Sequence, residues 1–141
     1  MKTINQTSAG GIVYKKIAGQ ILWLITQHSQ HHGWVFPKGL VGDHDPDESM
    51  ETAALREVEE EGGVKTRIVE KHPVETHYQY RFAGDLIKKT VFYFLMEYLS
   101  GDPENHDWEM MDAKFVTQDE VKKTLTYKSD QEAFEKILEI L

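Results

Sequence analysis

Cysteine is absent, which removes four chemistries at once: a disulfide framework, a thiolate zinc site, an iron–sulfur cluster and a thiol nucleophile. Long apolar runs are missing too. The longest, Val91 to Met96, falls far short of the ~20 residues that span a bilayer. Met1 to Gln6 has no apolar leader core, so the expected compartment is cytoplasmic with no membrane partner. Neither a GxxxxGK[ST] nor a GxGxxG phosphate loop occurs. Basic residues are scarce: 16 Lys+Arg stand against 24 Asp+Glu, a net charge of −8. A chain without a broad basic surface is not expected to form a stable nucleic-acid complex.

What is present fits one soluble domain over residues 1–141, with 40% hydrophobic and 28% charged residues and no repeat or linker. The charge imbalance is local. From Asp43 to Glu61 nine acids meet one base, Arg56, and the rest of the chain is neutral overall. Focused negative charge suggests a cation site.

Ser8–Lys16 and Gln20–Gln27 read as strands joined at Ala18-Gly19, and Trp34-Val35-Phe36 as a short strand ended by Pro37. Residues 39–47 read as a loop. Ser49 caps a helix running to Gly62-Gly63. Val64–Thr76, His77–Phe82, Leu86–Leu99 and Ala113–Val116 read as strands, and Asp119–Leu125 and Ser129–Leu141 as helices. The expected class is α/β (α+β), a mixed sheet flanked by helices.

On a wheel of residues 49–62, Glu57, Glu60 and Glu61 share one arc of about 100°, and Ala53 leaves that arc open. Ala54, Leu55 and Val58 form a neighbouring face that can bury. Three carboxylates this close repel unless a positive charge sits among them, and hard divalent cations take oxygen ligands. A calcium loop at Asp43-x-Asp45-x-Asp47 fails, because Glu48 stands where Gly is needed, Ala54 where Glu is needed, and Pro46 interrupts.

Gly39…Glu48-x7-Arg56-Glu57-Val58-Glu59-Glu60-Glu61-Gly62-Gly63-Val64 resembles the Nudix box of the Nudix hydrolases, Gly-x5-Glu-x7-Arg-Glu-U-x-Glu-Glu-x-Gly-U. From Glu48 to Val64 the match is complete. Eight residues separate Gly39 from Glu48 where the pattern has five. Gly42 restores the literal spacing, but Gly39 follows Phe36-Pro37-Lys38, as in the strand entering that box.

The resemblance implies a Nudix-type α/β/α sandwich and hydrolysis of a nucleoside diphosphate linked to another group, with Mg²⁺ or Mn²⁺. It implies metal ligation by Glu57, Glu60, Glu61 and a backbone carbonyl, that of Gly39, with Arg56 orienting Glu48. The general base is Glu109 or Glu57. Lys38 is a candidate phosphate contact, and Tyr80 and Trp34 are candidate base-stacking surfaces, each equally readable as core. Trp34-x-Phe36-Pro37-Lys38-Gly39, Tyr80, Lys89–Met96 and His106-Asp107-Trp108-Glu109 resemble the bacterial diadenosine polyphosphate hydrolases, which favours a dinucleoside polyphosphate as partner. Nucleoside triphosphates, inositol pyrophosphates and RNA 5′ ends stay open, as does a regulator that binds a nucleotide without cleaving it. His28, His31 and His32 read as a solvent-facing loop or as the mouth of the pocket. Oligomeric state is not legible.

Overall fold

The computed structural model describes residues 1–42 and 45–141. Asp43 and His44 lie outside the described residues, and with them the calcium-loop reading and one end of the acidic segment. One mixed sheet of eight strands forms the middle layer. In chain order the elements are β1 (Thr3–Ile17), β2 (Gln20–His28), β3 (Trp34–Val35), β4 (Lys38–Leu40), α1 (Met50–Gly62), β5 (Val64–Ile68), β6 (Val74–Phe82), β7 (Asp85–Gly101), β8 (Met110–Val116), α2 (Gln118–Thr124) and α3 (Lys128–Ile140).

β1 and β7 pair in parallel from Thr3↔Leu86 to Tyr14↔Glu97, and every other pairing is antiparallel. Residues Ser8 to Tyr14 are buried without a break, because both faces of this central strand are covered. On one face Ala9, Val13, Leu24, Phe94 and Met96 meet Ala53, Ala54 and Val58 of α1. On the other, Ile12, Trp23, Phe36, Tyr93 and Leu95 meet Val121, Phe134 and Ile137 of α2 and α3. The α/β/α sandwich expected from the sequence is the observed fold.

Three local readings are corrected. Residues 64–76 are not one strand: β5 stops at Ile68 and β6 starts at Val74, just after Pro73, whose missing N–H cannot join a ladder. Gly39 and Leu40, expected in a loop, are strand: Lys38–Leu40 pairs with Ser8–Gly10. Ala53 is not an open gap on an acidic face but fully buried core, so the acidic arc turns into the protein.

α1 opens at Ser49, whose side chain accepts from the Thr52 N–H, and closes at Gly63 in the left-handed conformation, φ 74°. A Cβ on Gly63 would strike the Asp102 carbonyl. Glycine therefore lets the 102–109 loop lie against the end of α1, and the Asp107 N–H donates to the Glu60 carbonyl at 2.8 Å. Among the described residues no helix is long and apolar enough to cross a membrane.

Candidate active site

α1 places four glutamates, Glu57, Glu59, Glu60 and Glu61, in its last two turns, with no base in the last turn. That is the negative end of the helix macrodipole, where carboxylates are disfavoured. Glu57 and Glu61 are moreover buried, each 6% exposed. Arg56 answers part of this charge. Its Nε and Nη2 donate to the two carboxylate oxygens of Glu48 at 2.8 and 2.9 Å, a bidentate pair that ties the loop before α1 to the helix. Its Nη1 donates to Glu57 at 2.8 Å and to Glu60 at 3.2 Å. These bonds, the Glu48 one foremost, raise the guanidinium pKa against the lowering effect of burial. For Glu57 burial still wins over Arg56, and its carboxyl lies above the usual range. For Glu61 burial pushes the pKa up to about 8, although the Lys38 ammonium opposes the shift and the Lys38 N–H donates to it at 3.2 Å.

Gly39 is the glycine that meets the cluster. A Cβ there would coincide with the Glu57 carboxylate, whereas one on Gly42 would find open room. Gly42 instead supplies a turn, with φ 80°. Register decides this: Gly39 pairs with Ala9, and α1 packs over that part of β1.

Lys38 pairs with Gly10 and is half-buried. Burial alone would lower its pKa, but Asp130, the Tyr78 hydroxyl, Glu61 and Tyr127 together hold it above its ordinary value. Asp130, in the first turn of α3, is 4% exposed and accepts from the Tyr93 hydroxyl at 2.7 Å. Lys89 faces the same space, its pKa lowered by burial first and then by Lys38, with Glu61 opposing. Two lysines, two tyrosines and two buried acids thus converge beside the glutamate helix.

Of the aromatic residues picked from the sequence, Tyr80 is half-exposed and stacks on Tyr78, centroids 6.1 Å apart and planes at 23°. Tyr78 is the deeper of the two and is the one that faces Lys38. Trp34 packs against the α3-side core with Lys114 4.8 Å above its ring. Its backbone N–H donates to the Thr126 hydroxyl at 2.8 Å, next to Tyr127. The histidine loop is ordered: His28 and His31 stack at 4.2 Å, and His31 Nδ1 accepts from the Gly33 N–H at 3.0 Å and from the Tyr127 hydroxyl at 3.1 Å.

Glu109 is exposed, and its carbonyl accepts from the Ser29 N–H at 2.9 Å. Its charge acts on both Glu57 and His28. Sequence reasoning missed Tyr78, Tyr127, Asp130 and Asp107. Asp107 sits between Glu60 and Glu109, and its carboxyl is raised by burial first and also by Glu60. Strand alternation could have found Tyr78, since Val74, Thr76, Tyr78 and Tyr80 share one face. Nothing in the sequence ties Asp130 to Lys38.

Among the described residues no three acids or histidines form a finished metal cage. The donor chemistry nevertheless fits a hard divalent cation: all-oxygen ligands, two of them buried at the wrong end of a helix, with the Arg56 guanidinium on Glu57 and Glu60 and the Lys38 N–H on Glu61.

A family model described as NUDIX domain matches residues 5–137. A protein of Mycobacterium tuberculosis, provisionally named mutator protein MutT4, is 30% identical over 137 residues, covering 93% of this chain and 54% of its own length. The asymmetrical bis(5′-nucleosyl)-tetraphosphatase of Caenorhabditis elegans is 33% identical over 115 residues, covering 75% of this chain and 80% of its own. A crystal structure of the C. elegans Ap4A hydrolase binary complex superposes with TM-score 0.74 at 29% identity, covering 96% of this chain and 99% of that one.

Proposed function

From the premise that this chain belongs to the NUDIX hydrolase family, we propose that it cleaves a phosphoanhydride bond in dinucleoside polyphosphates such as diadenosine tetraphosphate, giving ATP and AMP. The observation that carries the reading is the meeting of Glu61, Lys38, Lys89, Tyr78 and Tyr127 in one space beside the box helix. A polyphosphate needs cations along its chain, and a purine needs an aromatic face. Both are there, and the likeness to the C. elegans Ap4A hydrolase supports the choice of substrate.

NUDIX hydrolases generally use divalent metal ions. Here Glu57, Glu60, Glu61 and the Gly39 backbone would hold Mg²⁺ or Mn²⁺, which when bound neutralises phosphate charge and acidifies water. Arg56 keeps Glu48 and the entry loop in place and orients Glu57 and Glu60. Lys38 and Lys89 bind phosphate oxygens, and Asp130 keeps Lys38 charged and aimed. Tyr78 and Tyr127 flank a base, with Tyr80 extending the stack outward. Glu109 takes the proton of the attacking water, because its carboxylate is exposed while Glu57 is engaged by Arg56. The water oxygen bonds to phosphorus as the bridging P–O bond breaks, and the proton ends on Glu109. The whole of residues 1–141 serves this one site as a single domain, with a nucleotide and no nucleic acid or membrane as partner.

The test is a substrate panel with Mg²⁺, with and without chelator: dinucleoside polyphosphates, nucleoside triphosphates, an inositol pyrophosphate and triphosphorylated RNA, with products separated chromatographically. Chelator-sensitive conversion of diadenosine tetraphosphate to ATP and AMP is expected. Indifference to dinucleoside polyphosphates, with efficient cleavage of another class, overturns the assignment.

A further inference from the structure

Trp108 is 80% exposed, more than any other large apolar side chain described. An indole left in water is unusual, since its area rewards burial more than that of almost any other residue. Its backbone, by contrast, is fixed on both sides. The preceding Asp107 N–H donates to the Glu60 carbonyl at 2.8 Å. The following Glu109 carbonyl accepts from the Ser29 N–H at 2.9 Å, and its N–H donates to the Asp107 carboxylate at 3.1 Å. Met110, next again, is buried and pairs with His28. The ring therefore stands on a rigid turn and has no ring or cation partner among the described residues.

The place of that turn matters. It closes the end of α1, so Trp108 is bracketed by Asp107 and Glu109, the two acids that face the glutamate cluster and His28. Lys38, whose N–H donates to Glu61, brings Tyr78 and Tyr127 to the same carboxylates from β4, so the inner aromatic pair and the outer single aromatic, Trp108, belong to different segments that meet at the glutamate helix. A substrate with one base and a phosphate chain uses only the inner pair. A substrate with a base at each end leaves its second base beyond the acids, where carboxylates repel phosphate but tolerate a neutral ring.

We propose that Trp108 is the stacking platform for the second base, and so the residue that separates two-base from one-base polyphosphates. This rests on the function proposed above. Aromatic stacking is sequence-tolerant, so the platform accepts any nucleobase.

The test uses binding, not turnover. Wild type, Trp108→Ala and Trp108→Phe are titrated calorimetrically, in Mg²⁺, with methylene-bridged diadenosine tetraphosphate and methylene-bridged adenosine 5′-tetraphosphate. Trp108→Ala should weaken the two-base compound about tenfold or more and leave the one-base compound within about twofold. Trp108→Phe should recover most of the loss. Because the side chain is exposed, the melting temperature should not move. Equal effects on the two compounds, or none on either, overturn the platform and leave the proposed function standing. Failure of wild type to bind either compound overturns both.

Discussion

The Glu57 carboxylate occupies the space where Gly39 would carry a Cβ. Two residues eighteen positions apart are thereby made into one surface, a carboxylate laid on bare backbone. Substituting Gly39 by Ala must push Glu57 away. Overpacking of this kind costs about 1–3 kcal/mol. Turnover should fall by about a hundredfold or more, the scale of losing an aligned electrostatic group. Gly42→Ala, strained by its positive φ but not crowded, should lower stability while sparing kcat. Steady-state kinetics on both variants, beside thermal denaturation, separates the two glycines.

Glu61 makes the metal-free protein pH-sensitive. Burial raises its pKa from 4.5 to about 8, so folding favours the neutral acid. That stabilisation is complete below pH 4.5 and is lost as pH rises toward 8. Glu57 shifts the same way. The loss from Glu61 is on the order of a few kcal/mol, equivalent to roughly 5 °C or more in a chain of this size. Chelated protein should therefore melt lower at pH 8 than at pH 5, and Glu61→Gln should flatten that slope. Saturating Mg²⁺ should raise the pH 8 value, since it binds only the folded state. A Tm that rises from pH 5 to 8 in chelator would remove the argument.

The base assignment separates by metal affinity. Glu109 stands outside the helix cluster, whereas Glu57 is within it and bonded to Arg56. Glu109→Gln should depress kcat by about 10²–10⁴-fold, the usual contribution of a general base, and leave the Mg²⁺ concentration for half-activity nearly unchanged. Glu57→Gln should worsen both. If Glu109→Gln retains the wild-type pH–rate profile, the base belongs to the helix.

Tyr78 and Tyr80 lie on one face of β6, but only Tyr78 reaches the lysines. Tyr78→Ala should raise KM for diadenosine tetraphosphate by about one to two decades, the scale of a lost base stack. Tyr80→Ala should raise it only a few-fold, since Tyr80 acts by backing Tyr78. A larger effect at Tyr80 than at Tyr78 would reverse the order of the two rings.

Local chemistry was written in the sequence because it acts over one or two helical turns. Ser49 as cap, Gly63 as terminator and the three glutamates on one arc follow from capping preferences and 3.6-residue periodicity, and the pairing of Arg56 with Glu48 from the resemblance to the Nudix box. A mixed sheet flanked by helices followed from the apolar patterns, and the α/β/α sandwich from the resemblance to the Nudix hydrolases. Register and burial were decided by the tertiary structure. Gly39 was separated from Gly42 by pairing with Ala9 and by the approach of α1, not by spacing in the box. The sequence groups Glu61 with two other carboxylates, but only burial in the folded chain pushes its pKa to about 8, against the opposing charge of Lys38. Tyr78 was distinguished from Tyr80, and Asp130 brought to Lys38 across ninety-two positions, because α3 packs on the far face of the sheet. Periodicity fixes which side of an element a residue occupies. What that side meets depends on contacts between distant segments, and a linear pattern carries no term for them.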